Sequence, residues 1–128
     1  MPSQPHLAFP IWPARAFVPS HDLCFALMPF TVSAIERAYA RVVRPAVVEA
    51  GLHPSRADER HGFDVMADIW SGLNEARIVL ADLTGRNPNV FYEVGIAHTL
   101  GKPLLLLSAD GGAHIPFDIK HIRHIFYR

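Results

Sequence analysis

Within residues 77–108, RIVLADLTGRNPNVFYEVGIAHTLGKPLLLLS, two carboxylates stand where a strand should end and a helix should begin: Asp82 and Glu93. Acids brought together this way can do covalent and proton-transfer chemistry. One acts as nucleophile or stabilises a developing positive charge, while the other holds a hydroxyl, orients its partner or delivers a proton. Glu93 is read in the first role and Asp82 in the second. Between and beside them Asn87 and Asn89 offer hydrogen bonds, and Tyr92 a stacking ring or a donor. On spacing alone the plainer alternative leads slightly. Glu93 then only complements the helix macrodipole, worth ~0.3–1 kcal/mol, and Asp82 only caps the next turn.

Other chemistries fit the residues less well. There are eight histidines, but His114, His121 and His124 match no standard ligand grouping, and a strand would send His121 and His124 to opposite faces. No metal or other cofactor is therefore expected. Gly85 and the Gly111-Gly112 pair lack the spacing and the lysine of a phosphate-binding loop. Ser33, Ser71 and Ser108 have no convincing base.

The elements that must position the two acids follow from patterning. Ile78, Val79, Leu80 and Ala81 form an apolar run closed by a polar cluster, and Leu104 to Leu107 repeat it, as expected of strands buried on both faces of a parallel sheet. Asn87-Pro88-Asn89 supplies the turn, Asn89 is expected to cap the helix, and Gly101 ends it before Pro103. A right-handed β-α-β unit results, with its ligand side at the carboxyl ends of the strands. An earlier strand, residues 23–28, leads through Met28-Pro29-Phe30 into a helix that starts at Ser33 and is ended by Gly51, with Ser33 and Glu36 at capping-box spacing and Pro45 set to kink it or to split off its last turn. A weak second strand spans 52–57. Arg56, in the charged loop at its end, could clamp a phosphate or ribose if it is not simply solvated. Phe63, Met66, Ile69, Trp70 and Leu73 mark the next helix, with Trp70 read as core, and a last strand spans 122–127. The sum is a single flavodoxin-like (Rossmannoid) three-layer α/β domain on a five-stranded, mostly parallel sheet.

The motifs ADLTG and NPNVFYEVGIAHTLGKP resemble the nucleoside 2-deoxyribosyltransferase-like proteins, a group whose fold is similar to the TIR domains. The likeness covers about residues 23–127 and is most specific at Glu93-Val94-Gly95-Ile96-Ala97. It implies that Glu93 is the counterpart of the family's glycosyl-accepting glutamate, and it reverses the odds in favour of a site role. The Met28-Pro29-Phe30 turn resembles the segment that lines the family's nucleoside pocket, although Phe30 reads equally well as core. The implied activity is an N-glycosidase or N-(deoxy)ribosyltransferase acting on a nucleoside, nucleotide or NAD-like substrate, with a defence-effector role in bacteria implied by the resemblance to TIR and deoxyribosyltransferase-like effectors. A non-catalytic nucleotide sensor is the alternative, and a docking domain using an aromatic arm is a weaker third.

Composition bounds these readings. The chain has 128 residues, half of them hydrophobic, and its twelve basic residues balance twelve acidic ones, so nothing draws it in bulk to nucleic acid or anionic membrane. A lone Cys24 cannot form an internal disulfide framework or by itself a zinc site, in keeping with a cytoplasmic protein. Residues 1–22, broken by Pro2, Pro5, Pro10, Pro13 and Pro19, read as an arm that is mostly irregular. Its Phe9, Ile11, Trp12, Phe17 and Val18 are available to pack on the domain or on a partner. Residues 23–128 form the domain, and because folds of this type cover the fifth strand with a further helix, either that helix is missing through truncation at the C-terminus or the arm or a partner fills its place. A homo-oligomer or a larger assembly is the expected state.

Overall fold

The central strands of the sheet are the most apolar ones. In the computed structural model, which describes residues 10–12, 16–29, 32–59, 65–109 and 115–127, β1 (Leu23–Leu27), β3 (Ile78–Asp82) and β4 (Leu104–Ser108) each lie between two neighbours. The more polar β2 (His53–Arg56) and β5 (His124–Phe126) form the edges. The order is β2-β1-β3-β4-β5 and every pairing is parallel, where a mostly parallel sheet was expected. This is the flavodoxin-like order. It reverses between β1 and β3, so ligands are expected beyond the carboxyl ends of those two strands.

Side-chain alternation divides the sheet into two faces. Phe25, Val79, Ala81 and Leu106 pack against α3 (Val65–Glu75) and α4 (Pro88–Thr99). Cys24, Ala26, Leu80 and Leu107 pack on the other face against the segment 33–49. That segment is not one kinked helix. It runs as α1 (Ser33–Ala38), a π-helical turn (Tyr39–Val43) and α2 (Arg44–Glu49), with helical dihedrals at both junctions and Pro45 in the first turn of α2. The Arg44 N–H donates to the carbonyl of Tyr39, five residues back, so the wider turn absorbs the proline instead of a kink. The Ser33 capping box does not form. Val32 is the N-cap, with no side-chain cap.

At one point α3 comes unusually close to the sheet. A Cβ on Gly72 would sit 2.4 Å from the Phe25 ring, so only glycine lets α3 approach β1 this closely. The C-terminus of α3 is held by Lys102, whose Nζ donates to the carbonyls of Asn74 at 2.8 Å and Ala76 at 2.9 Å.

Two further features mark the edges. A short α5 (Phe117–Lys120) precedes β5, which is three residues long. Opposite α3 and α4, an apolar groove of ≈ 330 Å³ runs between the α1–α2 segment and β3 to β5, floored by Leu80, Leu105, Leu107 and Ile125. Among the described residues no helix covers it. The described part of the arm packs elsewhere: Trp12 stacks on Trp70 of α3, centroids 5.0 Å apart, and Phe17 meets the same indole edge-on at 6.2 Å. Trp70 is half-buried beneath the arm. No described helix is long and apolar enough to cross a membrane.

Candidate active site

Helix α4 aims the central acid. After β3 the chain turns through left-handed backbone at Gly85 (φ 80) and Arg86 (φ 56), then enters the helix at Asn87. Asn87, not Asn89, is the N-cap: its Oδ1 accepts from the N–H of Asn89 at 2.9 Å and of Val90 at 3.4 Å, and Pro88 needs no partner at the first helical position. The buried residues of α4 are Val90, Glu93, Val94 and Ala97, so Glu93 occupies a core position of an apolar stripe. It also lies beyond the first turn, where the macrodipole has largely faded. That removes the helix-end explanation. Glu93 is 8% exposed, and its carboxyl has no hydrogen bond or ion pair with another described residue. Burial pushes its pKa up to about 7.

Glu93 opens into a crevice of ≈ 370 Å³ at the carboxyl end of β1. Met28, Pro29, Asn87, Asn89 and Tyr92 line it too, so most of the residues singled out in the sequence meet here. Its remaining walls are Val65, Met66 and Ile69 of α3, with Val90. The α3 residues were legible as a helix face but not as a pocket wall, because periodicity does not say which end of a helix reaches the ligand side. Phe30 and residues 110–114 lie outside the described residues.

Two candidates are not brought to this crevice. Asp82 continues the Leu80 phase of β3 and faces the α1 side, so the two acids do not open into the same cavity. Asp82 Oδ1 accepts from the Thr84 N–H at 3.0 Å, and Oδ2 accepts from the Tyr127 hydroxyl. Beside it lies a void of ≈ 10 Å³ walled by Tyr39, Val43, Leu107 and Met28, and Met28 borders both cavities. Tyr127 carried no signal in the sequence, since its partner lies 45 residues away. Arg56 is also on the α1 side. Its guanidinium bonds both oxygens of Asp58, stands 3.9 Å from Glu36, lies over the Tyr39 ring and donates to the Met28 sulfur at 3.5 Å. Those carboxylates hold its pKa above the usual arginine value against the opposing effect of burial.

Known proteins bear on this geometry. No family model matches the chain. Over 73 residues, 56% of this chain, it is 37% identical to the mouse 5-hydroxymethyl-dUMP N-hydrolase, and the match spans 42% of that relative, less than half its length. A solved structure, the 2-desoxiribosyltransferase from Leishmania mexicana, superposes with a TM-score of 0.56 over 70% of this chain and 65% of that one, at 19% identity. The fold is that of the nucleoside 2-deoxyribosyltransferase-like proteins. The resemblance read from Glu93-Val94-Gly95-Ile96-Ala97 and its flanks is borne out in the deoxyribosyltransferase-like fold and in this partial sequence match. Neither of these two relatives is a TIR domain.

Proposed function

We propose that this chain cleaves the bond between base and sugar in a nucleoside or nucleotide, by hydrolysis or by transfer of the (deoxy)ribosyl group. Glu93 carries the reading: a carboxyl at a core position, without a described partner, opening into a crevice within the size range of small-molecule sites. In the proposed reaction an ionised Glu93 oxygen bonds to the anomeric carbon as the bond to the base nitrogen breaks. The electron pair leaves with the base, which takes a proton from solvent. Water, or a nitrogen of an acceptor base, then attacks the same carbon and frees the carboxylate. Asn87 and Asn89 hydrogen-bond base or sugar, Tyr92 stacks or donates, and Met28, Pro29 and Phe30 wall the nucleoside. Asp82 holds a sugar hydroxyl. Arg56 would bind a phosphate only in competition with Asp58 and Glu36.

An NAD-like substrate and a defence-effector role derive from the likeness to TIR and deoxyribosyltransferase-like proteins. The division into an arm (1–22) and a domain (23–128), a cytoplasmic location and a homo-oligomer or larger assembly belong to the same reading. The sensor alternative is favoured by one observation, that Asp82 and Glu93 border separate cavities.

The deciding experiment incubates wild type and Glu93→Gln with nucleosides, nucleotides and NAD, with and without acceptor bases, and separates the products by chromatography. Release or exchange of base by wild type and none by Glu93→Gln is expected. Ligand binding with no turnover at any protein concentration would leave the sensor in place of the enzyme.

A further inference from the structure

Tyr127 sits just past the last strand, with its N–H donating to the Ser108 carbonyl at 3.0 Å, so its backbone is tied to the end of β4. Its ring packs against the α1-side core and lines the apolar groove. A phenol on such a face needs a partner for its hydroxyl, and it finds Oδ2 of Asp82. The other oxygen, Oδ1, is held by the Thr84 N–H at 3.0 Å, while Thr84 Oγ1 accepts from the Ala109 N–H at 2.8 Å. The ends of β3, β4 and β5 therefore converge on the carboxylate of Asp82, a residue only 7% exposed.

We propose that Tyr127 is a positioning residue: it fixes Asp82 in the rotamer that holds the substrate's sugar hydroxyl. This rests on the base–sugar cleavage reading above. A carboxylate offers about four lone-pair sites, and the two protein donors leave others for a substrate hydroxyl. Met28 is the side chain shared by the Glu93 crevice and the Asp82 cavity. Its unbranched thioether can shift to let a sugar touch both acids. Without the Tyr127 donor, Asp82 keeps one anchor and turns about it, so the hydroxyl loses its fixed acceptor.

A double-mutant cycle on the full chain tests this, with Tyr127→Phe, Asp82→Asn and the pair compared with wild type. Tyr127→Phe keeps the ring in the groove and removes the hydroxyl donor. Expected is a fall of roughly tenfold in kcat/KM for base release, the size of one lost hydrogen bond to a charged group, with little further loss when the substitution is made on Asp82→Asn. Nucleoside affinity, read by calorimetry on the same four proteins, is expected to show the same non-additivity. Losses that add, or a Tyr127→Phe protein equal to wild type, would make Tyr127 a packing residue and overturn the proposal. Wild type that binds nucleoside without turnover would end the cleavage reading, and the affinity cycle would still decide Tyr127. Absence of both turnover and nucleoside binding would overturn the two together.

Discussion

Glu93 concentrates the energetics of the site at one atom group. Burial of a carboxyl without a compensating partner disfavours its charged form, which is why its pKa rises from 4.5 to about 7. Two consequences can be measured. As a nucleophile Glu93 must be ionised, so kcat/KM for base release should climb with pH through about 7 and level off above it. A profile flat between pH 5 and 8 would count against that role. Stability should run the opposite way. A folded pKa above the unfolded one means that the folded protein binds more protons between pH 4.5 and 7, so this group's contribution is full below pH 4.5 and is lost as pH rises through about 7. Glu93→Gln, which cannot ionise, should therefore match wild type near pH 4.5 and be more stable above pH 7, by an amount on the order of 3 kcal/mol at most. Urea melts of the two proteins across pH would show it. Activity and stability then move apart at one residue, as expected where a core position has been given to chemistry.

At the scale of elements, what counts is how closely α3 and α4 approach the sheet. Gly72 lets α3 settle on the fully buried Phe25 ring, and any side chain there meets that ring at 2.4 Å. Alanine would gain about 1 kcal/mol in helix propensity but overpack the contact by about 1 to 3 kcal/mol, so Gly72→Ala should lower stability on balance. Since α3 carries the Met66 and Ile69 wall of the crevice, nucleoside affinity should fall with it. Thermal melts and calorimetry check the two effects. Adding Phe25→Leu should restore part of the loss. The element pattern was well legible in the sequence. The strands β1, β3 and β4 are apolar runs, closed by Asp82 in β3 and Ser108 in β4, and α4 is bracketed by Asn-Pro and Gly. The cap was misplaced by two residues, because Asn87 and Asn89 are both good caps and the position of Pro88 decides between them. Legibility was poorest in the edge strands and the 33–49 segment. The edge strands are short or polar, and the π-helical turn rests on the Arg44 N–H reaching the Tyr39 carbonyl beside Pro45.

Over the whole molecule, the two sheet faces are finished differently. On the α3 and α4 side the proline-rich arm returns to stack Trp12 on Trp70. Trp12→Ala should cost about 1 kcal/mol beyond lost area, and it should change the emission of Trp70, which would then be the chain's sole tryptophan. An unchanged denaturation midpoint would mean that the arm does not dock there. On the opposite side the groove over β4 and β5 stays apolar and uncovered among the described residues, with Leu105 and Ile125 in its floor. The sequence by itself determined the strand-helix-strand unit, the parallel α/β class and Glu93 as the residue to watch, because periodicity, turn chemistry and one dense motif are local properties. Only the tertiary structure decided that Asp82 and Glu93 border separate cavities, that Tyr127 reaches Asp82 across 45 residues, and that the arm chooses α3. Those outcomes depend on which face of a strand a residue takes and which distant segment packs beside it, and neither is encoded in the spacing of neighbours.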